Sequence, residues 1–145
     1  MECEMPQTNS NKEEMKKILE DTKTIAIIGC SPNKEKASNM VAVYLQNVGY
    51  KIIPVYPKEE VILGEKVYRS LTQIPSDIKI DMVDIFRKPD VIASVVDEAL
   101  QRGDVATIWT QLGLVHNEAA KKAQNAGLNV VQSHCTKIEH KNLIA

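Results

Sequence analysis

Gly29-Cys30-Ser31-Pro32 follow directly on the apolar run Thr24-Ile25-Ala26-Ile27-Ile28. A strand that ends in glycine and turn-forming residues, with a helical pattern starting near Ala37, opens a nucleotide-binding α/β domain. The chemistry such a turn offers is anion binding. Its backbone N–H groups and the following helix N-terminus carry partial positive charge. Ser31 can offer a hydroxyl to a phosphate, and Lys34 and Lys36 place cations in the same loop. Taken alone, Gly29 and Pro32 serve equally well to build a strand–helix turn. Of the three glycines in the dinucleotide fingerprint G-x-G-x-x-G, only Gly29 is present. The loop therefore points to a phosphate-bearing ligand and away from an ordinary NAD site.

A second cation sharpens this. NAD-binding domains carry an acid near the end of the second strand to bond the ribose hydroxyls. Here Tyr56-Pro57 close that strand and Lys58 follows, with Glu59 after it. A lysine suits a ribose that itself carries a phosphate, as in coenzyme A (3′) or NADP (2′); a solvated loop lysine is the plain alternative. Arg87, next to the strand-end Phe86, either clamps a pyrophosphate or pairs with Asp84 or Asp90. Trp109 and Phe86 read as core or crevice wall, and Gln111 as a polar ligand contact. Two readings of Cys30 stand. It is a small residue that fits the turn, or a thiol whose pKa the helix N-terminus and nearby lysines lower, which makes it a redox candidate.

The positions of these groups depend on the elements that carry them. Ser10 and Glu13 fit a capping box for a helix to about Glu20. Strand one is 24–29. Val41, Tyr44, Leu45 and Val48 form one face of a helix that Gly49 ends. Strand two is Lys51 to Val55. Short β-prone pieces lie around Gly64, and Ser70 stands before a one-turn helix. Strand three is Ile80 to Phe86, and Pro89 starts a helix that Gly103 closes. Strand four is Val105 to Trp109. Asn117 caps an alanine-rich helix, strand five is Asn129 to Val131, and the tail from Thr136 is weakly patterned. Strands alternating with helices pair in parallel through right-handed crossovers. The expectation is an α/β Rossmann-like three-layer sandwich. Its five-stranded parallel sheet has order 3-2-1-4-5, with the ligand crevice between strands one and four at their carboxyl ends. Residues 1–9 read as a flexible tail and 10–145 as one domain.

Composition excludes other classes. The chain has 145 residues, a net charge of −1 and 4% aromatics. It lacks the basic footprint and the stacking rows of a nucleic-acid binder. Apolar runs are strand-sized and the N-terminus has no apolar signal core, which predicts a cytoplasmic protein with no membrane partner. Cys3, Cys30 and Cys135 are odd in number and far apart, so no disulfide framework is expected. His134, Cys135 and His140 lack a fourth donor and a metal-ligand spacing, so no metal site is expected.

The motifs in order resemble the stand-alone coenzyme A-binding protein family (YccU-like). Its domain is similar to the N-terminal domain of the succinyl-CoA ligase α subunit and of ADP-forming acyl-CoA synthetases. The matching stretches are Ile28 to Pro32, Gly49-Tyr50 with Ile53 to Lys58, Leu63 to Tyr68, Val83 to Arg87, Ile108 to Gly113, Ala126 to Leu128 and Cys135 to His140. The resemblance implies that coenzyme A or an acyl-CoA binds through adenine, ribose and phosphates. Gly29, Cys30, Ser31 and Pro32 would carry the phosphate loop, and Lys58 would lie near the 3′-phosphate or the adenine ribose. Phe86-Arg87 would wall the crevice. The chain departs from the family where Asn usually precedes Pro57 (here Tyr56), where Arg often precedes Cys135 (here His134), and where an Arg-Pro-Ser loop becomes Lys36-Ala37-Ser38. Tyr56 either stacks on adenine or blocks it, and Lys36 keeps the loop's charge. No nucleophile–base pair stands out, so binding without catalysis is expected, as a monomer or homodimer. The alternatives are an NADP-dependent oxidoreductase and an accessory subunit of an acyl-CoA synthetase-like complex.

Overall fold

The computed structural model describes residues 5–145. Its architecture is Rossmann-like: one five-stranded parallel sheet with helices on both faces. The sheet strands are β1 (Thr24–Ile28), β2 (Lys51–Val55), β5 (Met82–Ile85), β6 (Thr107–Thr110) and β7 (Asn129–Val131). A small antiparallel hairpin, β3 (Val61–Ile62) and β4 (Glu65–Lys66), follows β2. The helices are α1 (Lys12–Asp21), α2 (Ala37–Asn47), α3 (Pro89–Arg102), α4 (Asn117–Asn125) and α5 (Thr136–Leu143).

Alternation along each strand divides the core in two. Ile25, Ile27, Ile52, Met82, Trp109 and Val131 face α1, α2 and α5. Ala26, Ile28, Ile53, Val55, Val83, Ile85, Ile108 and Val130 face α3, α4 and a short 3-10 turn at Leu71–Gln73. The alanine face of α4 (Ala119, Ala120, Ala123) is buried against the sheet, as small side chains at that spacing require.

The strand order is β2-β1-β5-β6-β7. Counting only sheet strands, the third lies beside the first, not beyond the second, so the order is 2-1-3-4-5 where 3-2-1-4-5 was expected. Pro54 is the physical reason. A residue's N–H and C=O point to the same side of a strand, and the Pro54 carbonyl accepts from Tyr68 N–H on the outer side. The missing N–H of Pro54 therefore faces that outer side too, where a further sheet strand would lack one of its ladder donors. The segment after β4 covers this edge through a single bridge, Val55 to Tyr68. The chain thus leaves β1 to one side for β2 and to the other for β5. The switch point, and with it the crevice, lies between β1 and β5.

Smaller differences have equally local causes. The capping box is Asn11 with Glu14, one residue later than expected. Ser10 instead donates its hydroxyl to the Val130 carbonyl at 2.7 Å. Thr8 and Asn9, expected in a loose tail, are bonded to Gln132 beyond β7; the first four residues of that tail lie outside the described residues. His116, not Asn117, caps α4, its Nδ1 accepting from Ala119 N–H. The weakly patterned tail from Thr136 is helix α5, whose buried residues are Thr136 and His140. Among the described residues no helix is long and apolar enough to cross a membrane.

Candidate functional site

β1 delivers Gly29 to the switch point with φ +85°, a conformation natural to glycine. The Phe86 N–H donates to the Ile28 carbonyl and so extends the β1–β5 pairing by one residue. Arg87 is therefore thrown across the top of β1. A Cβ on Gly29 would stand 2.8 Å from Arg87 Cδ. Gly29 and Arg87 are thus a packed pair, created by the observed strand order. Arg87 is exposed and pairs with neither Asp84 nor Asp90; its guanidinium has no hydrogen-bond or ion-pair partner among the described residues.

Gly29, Tyr56, Pro57 and Arg87 line one cavity of about 120 Å³, floored by Ile28, Val55 and Leu71. Arg69, Ser70, Ser94 and Glu98 complete its wall. Arg69 is a site residue that the sequence pattern did not reveal, because no local motif surrounds it. Lys58 lies in the exposed turn just past Pro57. Phe86 is half-buried and packs on the α2 side of the core.

The loop after Gly29 is fixed from within. Ser31 N–H donates to Ser38 Oγ at 3.0 Å, Ser31 Oγ accepts from Asn33 N–H at 3.1 Å, and the Ser31 carbonyl accepts from Asn39 Nδ2 at 2.9 Å. Ser31 and Ser38 are buried and serve mainly to shape the loop. Pro32 and Lys36 are exposed on its outside. Lys36 is the α2 N-cap and its side chain makes no capping bond; of the first-turn amides, Asn39 N–H donates to the Lys36 carbonyl at 3.1 Å.

Cys30 is fully buried. Burial pushes its thiol up to about 12, and the nearby Asp84 carboxyl adds to the rise. The activated-thiol reading is thereby overturned: desolvation outweighs the helix terminus and the lysines. Alkylation of the native protein by iodoacetamide at pH 8 should leave Cys30 unmodified, as read by peptide mass mapping; rapid labelling of Cys30 would contradict this.

The Gln111 side chain is turned to the buried Asp84 and does not line the cavity. Its amide donates to Asp84 Oδ1 and to Thr136 Oγ1, and Thr136 Oγ1 donates to Asp84 Oδ2 at 3.0 Å. With β6 one place further from β1 than expected, Gln111 stands behind Asp84 and not beside Gly29. Asp84 is fully buried, and that burial raises its carboxyl to about 7 against the pull of the two hydrogen bonds.

His134 pairs with Glu139 at 3.4 Å, and His140 Nδ1 lies 2.8 Å from the Tyr44 hydroxyl. No group of three or more metal-binding side chains gathers among the described residues. A larger hollow of about 530 Å³ beside the end of α3 is built around Arg102. That guanidinium is already spent on the Asp104 carboxylate and on carbonyls including those of Ile74 and Ile78.

The chain is similar in fold and sequence to known proteins. A hypothetical protein from Pyrococcus horikoshii OT3 superposes with a TM-score of 0.89 at 39% identity, covering 100% of both chains. YneT of Bacillus subtilis is 38% identical over 132 residues, 91% of this chain and 96% of that protein. The ADP-forming acetate–CoA ligase of Methanocaldococcus jannaschii is 26% identical over 138 residues, 89% of this chain but only 19% of the ligase. The family model described as CoA binding domain matches residues 23–141, from the start of β1 almost to the end of α5. With that match over most of its length, the chain belongs to the CoA binding domain family.

Proposed function

We propose that the protein binds coenzyme A, or an acyl-CoA, through its adenosine and phosphate groups at the carboxyl ends of β1, β2 and β5, without chemistry of its own. The observation that carries this reading is the Gly29–Arg87 pair. An unpaired guanidinium is held against a glycine turn, at the mouth of a cavity that Tyr56 and Pro57 also line. A guanidinium is suited to two-point recognition of phosphate, and a glycine lets ligand and backbone approach closely. Lys58, in the adjoining turn, suits the ribose 3′-phosphate.

Binding without catalysis is favoured by what faces the cavity. The Ser94 hydroxyl is donated to the Val91 carbonyl, and the Glu98 carboxylate accepts from Thr72. Cys30 and Asp84 are buried away from solvent. An accessory role beside an acyl-CoA synthetase-like partner is the second reading, favoured by the similarity to a fraction of the ligase's length.

Thermal melts with coenzyme A, dephospho-coenzyme A, NADP and NAD test the proposal. A ligand at about 100 times its dissociation constant adds roughly 2.7 kcal/mol, or about 5–10 °C for a chain of this size. Coenzyme A should give that shift. A shift with NADP and none with coenzyme A would favour the oxidoreductase alternative and overturn the proposal.

A further inference from the structure

Tyr68 is locked to the open edge of β2: its N–H donates to the Pro54 carbonyl and its carbonyl accepts from Tyr56 N–H. The next residue, Arg69, is thereby aimed back over the turn that ends β2. Its Nη1 donates to three carbonyls of that turn, Tyr56 at 3.1 Å, Lys58 at 2.9 Å and Glu59 at 2.8 Å. Two N–H bonds serve three acceptors, so one is shared. The grip encloses Glu59, a non-glycine residue at φ +69°. Such a conformation persists only where its surroundings impose it. Arg69 has no carboxylate partner among the described residues, and it lines the same cavity as Arg87.

We infer that Arg69 is a positioning residue for ribose-phosphate selectivity: by gripping the 56–59 turn it holds Lys58 where that phosphate arrives. The inference rests on the coenzyme A reading above. A turn left to itself would sample other conformations, and Lys58 would meet the phosphate only part of the time.

Affinities for coenzyme A and dephospho-coenzyme A, measured in wild type, Arg69→Ala, Lys58→Ala and the double variant, test it. Wild type should prefer coenzyme A by about tenfold, the worth of one charge-assisted hydrogen bond, and each single variant should reduce this to about twofold. The double variant should show no further drop, because both changes remove one interaction. An unchanged preference in Arg69→Ala would overturn the inference. So would an equal loss for both ligands, or a double variant that falls well below Lys58→Ala. Amide hydrogen exchange over residues 56–60 provides a readout free of ligand. Faster exchange in Arg69→Ala supports the grip, and unchanged exchange overturns it. If wild type binds neither ligand, the coenzyme A reading has failed and the selectivity role falls with it, whereas exchange still reports whether Arg69 grips the turn.

Discussion

Replacing Gly29 with alanine is expected to reduce coenzyme A affinity by about a hundredfold, two tenfold steps in the dissociation constant, and to cost about 1–2 kcal/mol of stability. The stability loss comes from the backbone. At φ +85° an L-residue is strained whatever space surrounds it. The binding loss comes from the neighbour. The new Cβ would meet Arg87 Cδ at 2.8 Å, so the arginine has to move. A flexible side chain moves cheaply, which keeps the cost to folding small, but its guanidinium leaves the position from which it would reach a phosphate. Adding Arg87→Ala to Gly29→Ala should therefore change stability little and affinity no further. Chemical denaturation and ligand titration of the two variants check this. Wild-type affinity in Gly29→Ala would show that the pair is structural only.

The second large effect belongs to Asp84. Its carboxyl is fully buried and burial raises it to about 7, well above the value near 3.9 of an unfolded chain. Between those values the native state holds a proton that the unfolded state has released. The stabilising contribution is therefore complete below about pH 4 and is lost as pH rises through 7. Within the window the loss approaches about 1.4 kcal/mol per pH unit, a total on the order of 2–4 kcal/mol. Asp84→Asn keeps an acceptor for Gln111 and cannot ionise. Its unfolding free energy should exceed that of wild type at pH 8, and the advantage should shrink toward pH 5. Urea denaturation at pH 5, 6, 7 and 8 provides the comparison; parallel profiles for the two proteins would contradict it.

The sequence made the alternation of strands and helices legible because apolar periodicity tracks burial directly. Ile25, Ile27, Val41, Leu45, Val95 and Val96 all lie in the core as that periodicity requires. Strand order was less legible, although Pro54 carried the signal: a strand that lacks an amide belongs at an edge. Helix α5 escaped notice because its buried positions are a threonine and a histidine, held by Asp84 and by Tyr44. Periodicity reads apolar faces and misses a face buried through hydrogen bonds. At the site, Gly29, Tyr56, Pro57 and Arg87 share one cavity wall, since each follows a strand end directly or within two residues. Gln111 did not join them because its place depended on strand order. Arg69 could not be found locally: its partners are carbonyls 10–13 residues earlier, and carbonyls leave no mark in a sequence.

On the proposed function, the crevice between β1 and β5 takes a nucleotide whose ribose carries a 3′-phosphate. Isothermal titration of the protein with coenzyme A, dephospho-coenzyme A and NADP tests it most directly. The expected result is saturable binding of coenzyme A, about tenfold weaker binding of dephospho-coenzyme A, and weaker binding still of NADP. No heat with coenzyme A at millimolar concentration, or tighter binding of NADP than of coenzyme A, would contradict it.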